Sequence, residues 1–178
     1  MKTLKTLFLL ACTCTALSGS AQTGKAQTAK IIQAQNYIFS ATTALPLNAA
    51  DISKILNRMP GSTGGGSINL SGSGYELRVT TDSLVAYLPY YGRSYTPRMG
   101  SSDDSGIKFN AKKFSYTLSE RKKGGWLISL KTKDLKENYS MTLTVTTTGY
   151  GSLTVNNNNQ QPITFSGYLS GPLPKKEN

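Results

Sequence analysis

Apolar and polar side chains alternate along most of this chain after Tyr75, in short runs separated by polar or glycine-bearing turns. A period of two is what a strand with one wet face produces. Tyr75, Leu77 and Val79 take one face and Glu76, Arg78 and Thr80 the other. After a turn at Thr81-Asp82 the chain returns through Ser83 to Leu88, with Leu84, Ala86 and Leu88 on one side and Val85 and Tyr87 on the other, so this strand is expected to be covered on both faces. Ile107 and Phe109 alternate before an expected turn at Asn110-Ala111, and Phe114, Tyr116 and Leu118 alternate after it. The charged stretch Glu120 to Gly125 leads into Trp126, Ile128 and Leu130, and Asp134 to Asn138 forms the next connection. Tyr139, Met141, Leu143 and Val145 then alternate with Ser140, Thr142, Thr144 and Thr146, the clearest half-buried strand in the chain. Thr148-Gly149 turns the chain into Leu153 and Val155, and Asn156 to Asn159 turns it into Ile163, Phe165, Gly167 and Leu169. Pro172 and Pro174 stop any further strand.

Nearer the start the period lengthens. Lys25 to Gln35 spaces Ala29 and Ile32 about one turn apart and predicts a short amphipathic helix that needs a sheet to dock against. Tyr37 to Ser40 predicts a first strand. Beyond Pro46, Ala49 to Met59 predicts a second helix, with Asp51 at its start and a stripe of Ile52, Ile55 and Leu56. Pro60-Gly61 and Gly64 to Gly66 end it. No Gly-Lys-Ser/Thr follows that glycine run, so it is no phosphate loop. Ser67 to Leu70 is a brief strand. The whole predicts a mainly β domain, an antiparallel meander with a short N-terminal helix. Closure into a barrel or packing into a closely related sandwich satisfies the alternation equally.

Composition narrows the chemistry. Lys2 and Lys5, an apolar run from Leu7 to Ala11 and small residues up to Ala21 predict a signal peptide over residues 1–21, leaving one domain over 22–178. The expected location is the periplasm or the medium. Lipid attachment at Cys12, which would anchor the protein at the outer membrane, is disfavoured by the short apolar run before it. Both cysteines, Cys12 and Cys14, leave with that segment, and the chain has no histidine. Thiolate and imidazole chemistry, and the metal sites built from them, are thereby excluded, and no cofactor, metal site or catalytic residue is assigned. With Lys2 and Lys5 gone, 18 basic side chains face 9 acidic ones, a formal charge of +9 suited to anionic glycans or lipid headgroups. Nucleic acid is an unsuitable partner for an exported protein, and no transmembrane span is expected in the mature chain.

The candidate ligand-binding surface is the loop after the hairpin, with Tyr87, Tyr90, Tyr91, Arg93, Tyr95 and Arg98. Tyrosine offers an apolar face with a hydroxyl, and arginine a flat fork of donors for carboxylate, phosphate or sugar oxygens. The alternative is that these rings seal one end of the fold, with Arg93 satisfying loop carbonyls or pairing with Asp103 or Asp104. Trp126 is kept in the set, although opening an inward strand makes core filling its other reading. Asp103-Asp104 lacks the spaced ligands of a calcium loop.

Tyr75-Glu76-Leu77, then Ser83 through Leu88 into Pro89-Tyr90-Tyr91-Gly92-Arg93-Ser94-Tyr95, then Gly106-Ile107-Lys108-Phe109, carry a resemblance to the DUF4251 family of exported Bacteroidetes proteins. Lys122 to Trp126 and Thr148-Gly149-Tyr150 fit the same pattern. The resemblance implies a lipocalin-like antiparallel barrel with a helix near its start, in an envelope or secreted protein of no assigned activity. The expected function is a noncatalytic binding module taking a small amphipathic ligand, a glycan or an envelope protein. A structural or adaptor protein without a small-molecule site is the alternative, and a glycan hydrolase the lesser one. A deep cavity would favour the small ligand, and a filled interior under an exposed aromatic loop would favour surface interaction.

Overall fold

The computed structural model describes residues 24–47, 62–63, 66–95 and 106–171. The expected signal peptide, the second helix, Arg98, Asp103-Asp104 and the last two prolines lie outside these residues. The first helix, α1 (Lys25–Gln33), ends two residues earlier than its sequence pattern predicts, where Gln35 takes a φ of 48°. Lys30 sits in its last turn, beside the partial negative charge of the free carbonyls. A helix this short is marginal alone. It is held because Ile32 and Thr28 are buried and the Tyr116 hydroxyl donates to the Ile32 carbonyl at 3.1 Å.

Eleven strands follow among the described residues: β1 (Tyr37–Pro46), β2 (Ser62–Thr63), β3 (Ser67–Asn69), β4 (Glu76–Val79), β5 (Leu84–Pro89), β6 (Gly106–Ala111), β7 (Phe114–Glu120), β8 (Trp126–Thr132), β9 (Tyr139–Val145), β10 (Tyr150–Asn157) and β11 (Gln160–Ser170). Their order in the sheet is β6-β5-β4-β1-β11-β10-β9-β8-β7, with the small β2–β3 hairpin set against β1. Neighbours along the path pair antiparallel.

The two outermost strands of this path, β6 and β7, are consecutive in the chain and separated by Lys112 and Lys113 alone. The expected hairpin at Asn110-Ala111 is therefore absent: both residues belong to β6, and the strand carries on into β7 instead of folding back. Its first half pairs with β5 and its second half with β8, so one bent strand brings the two ends of the sheet together in a nearly closed barrel. Closure of this kind leaves little unpaired edge to recruit other chains. The bend is pinned by the Asp134 carboxylate, whose Oδ2 accepts the Lys112 N–H at 2.8 Å and the Lys113 N–H at 3.0 Å. Lys133 N–H donates to the Lys113 carbonyl at 2.9 Å from the other side. The Lys112 amide, followed by that of Lys113, holds the Asp134 carboxyl below its ordinary range.

The first strand runs to Pro46, well past the Ser40 that its sequence pattern predicts, because its second half finds the last strand, β11, as a partner. A bulge between Ala41 and Thr43 brings the Ser40 carbonyl against Gly167 so closely that no side chain could replace that glycine's hydrogen. Gly167 pairs with Gly151 on β10, and a side chain at Gly151 would meet Phe39 at 3.1 Å. The missing side chain at Gly151 thus makes room for the Phe39 ring, and that at Gly167 for the bulged backbone of β1.

Alternation places one set of side chains inside. Leu77, Leu84, Ile128, Leu143, Val145, Leu153 and Phe165 each expose 0% of their surface, so no water-sized void touches them. Phe109 of β6 stacks on Tyr139 of β9 at 4.6 Å between ring centres, joining strands that do not pair. The interior is a packed core.

Candidate binding surface

The β4–β5 hairpin forms as its pattern predicts, with Val79 opposite Leu84 and Glu76 opposite Tyr87. Its turn closes through Thr80, whose Oγ1 donates to Asp82 Oδ1 at 2.7 Å and accepts the Ser83 N–H at 3.0 Å. Asp82 is held below its ordinary carboxyl range first by that Thr80 hydroxyl. Leu84, Ala86 and Leu88 are buried as expected. The expected cover over the other face is only partial, since Tyr87 is 47% exposed. What covers it is local: Tyr75 stacks on its ring at 5.5 Å, and the Lys108 ammonium lies 5.4 Å from the ring centre. Tyr91 is half-buried near Tyr75, and burial raises its phenol above the ordinary value.

After Pro89 the loop folds over the start of β11. The Tyr90 hydroxyl donates to the Arg93 carbonyl at 2.9 Å or to that of Gln161 at 3.1 Å. Gln161 N–H donates to the Arg93 carbonyl at 3.1 Å, Tyr95 N–H to the Asn159 carbonyl at 2.9 Å, and Ser94 bridges to Gln160. A side chain at Gly92 would lie 2.5 Å from the Tyr90 hydroxyl and would have to push that ring aside. Tyr90 is therefore an anchor that fastens the loop down. Tyr95 points outward, 66% exposed.

The expected set is divided by the fold. Tyr87, Tyr90, Tyr91, Arg93 and Tyr95 gather around the exit of β5. Trp126 is corrected to a core residue: it is buried at the start of β8, opposite Val145, which in turn faces Gly151 near the start of β10. The tyrosine loop instead meets β11 at Gln160, where β10 ends, so Trp126 lies toward the other end of the barrel wall and takes no part in this surface.

Two further tyrosines belong with Tyr87 and escape a reading by segments. Tyr168 is 56% exposed on β11 and sits opposite Tyr150 on β10, their rings edge to face at 5.3 Å. Following the register across the sheet, Lys108 lies opposite Tyr87, Tyr87 opposite Glu76, Glu76 opposite Ser40, Ser40 opposite Tyr168, and Tyr168 opposite Tyr150. These positions share the outer face and form one row over six strands. Each tyrosine of the row stands at an outward position of the alternation, which is the signal a sequence offers; that they are neighbours is not.

Four described carboxylates are committed to local contacts. Glu76 accepts from Arg78 Nε at 2.6 Å, Asp82 and Asp134 are engaged as above, and Glu137 Oε2 accepts the Tyr139 hydroxyl and the Asn157 side-chain amide, each at 2.8 Å. No group of three or more acidic, histidine or cysteine side chains among the described residues could hold a metal ion. No helix among them is long and apolar enough to cross a membrane.

A family model described as a domain of unknown function, DUF4251, matches residues 20–169. The crystal structure of a DUF4251 family protein from Bacteroides eggerthii DSM 20697 is similar to this chain with a TM-score of 0.56 over 83% of this chain and 87% of that one, at 15% identity. A likeness at that identity speaks for the fold alone. No curated protein matches the chain.

Proposed function

The chain belongs to the DUF4251 family, and from that premise we propose that it is a noncatalytic binding module of the cell envelope or the secreted medium, working through the outside of its barrel. The observation that carries this reading is a contrast in burial among the described residues: interior side chains such as Leu143 and Phe165 are fully buried, while Tyr87 and Tyr95 stand substantially exposed on the wall and its loop. A barrel that stored a small amphipathic molecule would need an open interior. Large exposed rings with a cation beside them are what recognition surfaces use. The basic N-terminal stretch followed by Leu7 to Ala11 supports export. The commitment of Glu76, Asp82, Asp134 and Glu137 to local contacts supports a reading other than a glycoside hydrolase built on these four, because most such enzymes set two carboxyl groups on either side of one bond.

Purified protein is incubated with insoluble envelope material and sedimented. The expected result is retention without release of soluble sugar or peptide, weakened about ten-fold by a Tyr87→Ala, Tyr91→Ala double variant that keeps its fold. Absence of retention, or steady release of soluble products, would sink the reading.

A further inference from the structure

The row across β6, β5, β4, β1, β11 and β10 suits one kind of occupant. We propose that it binds an extended acidic polysaccharide laid across the strands; this rests on the surface-binding reading and names its ligand. The two tyrosine groups lie three strand steps apart, from Tyr87 through Glu76 and Ser40 to Tyr168, a distance of about 14 Å at the ordinary strand spacing. That is the length of a short run of sugar rings, and longer than a single compact ligand would use.

The alternation of chemistry along the row points the same way. A pyranose has an apolar C–H face and a hydroxyl rim, so a sugar chain needs ring platforms with hydrogen-bonding groups between them. Tyr87, backed by Tyr75, and the Tyr168–Tyr150 pair supply the platforms, and Ser40 and Glu76 lie between. A protein partner would want a contiguous apolar centre, and here the centre is polar. Charge selects an acidic chain. Glu76, the carboxylate of the row, is neutralised by Arg78, while Lys108 sets an ammonium at one end of the row, on a chain whose formal charge without residues 1–21 is +9.

Affinity electrophoresis in gels containing polygalacturonate or neutral dextran tests the proposal. Polygalacturonate should retard the protein and dextran should not. Tyr87→Ala and Tyr168→Ala should each weaken binding about ten-fold, the Tyr→Phe variants should keep it, and Thr142→Ala on β9, outside the row, should leave it unchanged. Circular dichroism checks that every variant is folded.

Retardation that vanishes with salt but ignores both tyrosines would overturn the proposal in favour of bulk charge. Retardation by dextran alone would overturn the acidic class, and self-association abolished by Tyr168→Ala would make a second copy the occupant. Failure on polygalacturonate with retention on envelope material intact sinks this proposal and leaves the binding module standing; loss of both sinks both.

Discussion

The two halves of the barrel wall share an inner face and differ outside. Across β11, β10, β9, β8 and β7 the register sets Thr164, Thr154, Thr142, Ser129 and Thr117 in one outer row, with the Thr154 and Thr164 hydroxyls 3.1 Å apart. Across β6, β5 and β4 a separate outer row holds Lys108, Tyr87 and Glu76, and it runs on through Ser40 to Tyr168 and Tyr150 at the other end of β11 and β10. Threonine is an economical outer residue for a strand: its β-branch favours the extended backbone and its hydroxyl faces water. Tyr87 and Tyr168 are large rings left exposed where threonine would have built the same wall. The difference teaches that the fold needs only the parity of the outer face and does not itself require rings in that row.

The comparison would break first inside. If the halves share one core, Leu84→Ala in the tyrosine half and Leu143→Ala in the threonine half should each cost about 2–5 kcal/mol, as both side chains are fully buried. Urea unfolding measures both. A loss confined to one half would mean two cores rather than one.

A smaller effect is expected where the halves join. Asp134→Ala removes the acceptor of two amides at the bend between β6 and β7 and should lower the urea midpoint. Because this carboxyl is depressed in the folded state, its contribution is present above its unfolded value and is lost as pH falls through the folded one. The wild type should therefore weaken on acidification below about pH 4, and part of that slope should disappear in Asp134→Asn. An unchanged slope would show that Asp134 does not pin the bend.

The smallest change sharpens the contact between the halves at α1. Tyr37 of β1 is raised well above its ordinary value by burial; its hydroxyl lies near that of Tyr116, which donates to the Ile32 carbonyl, and makes no hydrogen bond of its own. Tyr37→Phe removes a buried hydroxyl that has no partner and should leave stability unchanged or raise it by about 1 kcal/mol. A clear loss in thermal unfolding would mean that this hydroxyl holds β1 and β7 together.

Much of the architecture was legible in the chain alone, because the direction of a side chain from a strand depends on its own backbone and its neighbours. Leu84, Ala86 and Leu88, or Met141, Leu143 and Val145, declare their inner face by a period of two that needs no knowledge of the partner strand. The turns at Asp82, Gly125 and Gly149 are local for the same reason. The pattern around Asn110-Ala111 predicts a return where the strand instead bends at Lys112 and Lys113 and goes on, because a turn and a continuation leave the same alternation on either side. Trp126 was ambiguous because an inward tryptophan fills a core as readily as it lines a pocket.

What only the tertiary structure decided was adjacency between distant segments. That β1 pairs with β11, that Gly151 opens space for Phe39, and that Tyr87, Tyr168 and Tyr150 share one row all depend on closing the sheet, which couples residues more than a hundred positions apart. Parity is set by the local backbone, whereas register across a closed barrel is set by the packing of every strand at once, and a one-residue slip would turn a whole inner face to water.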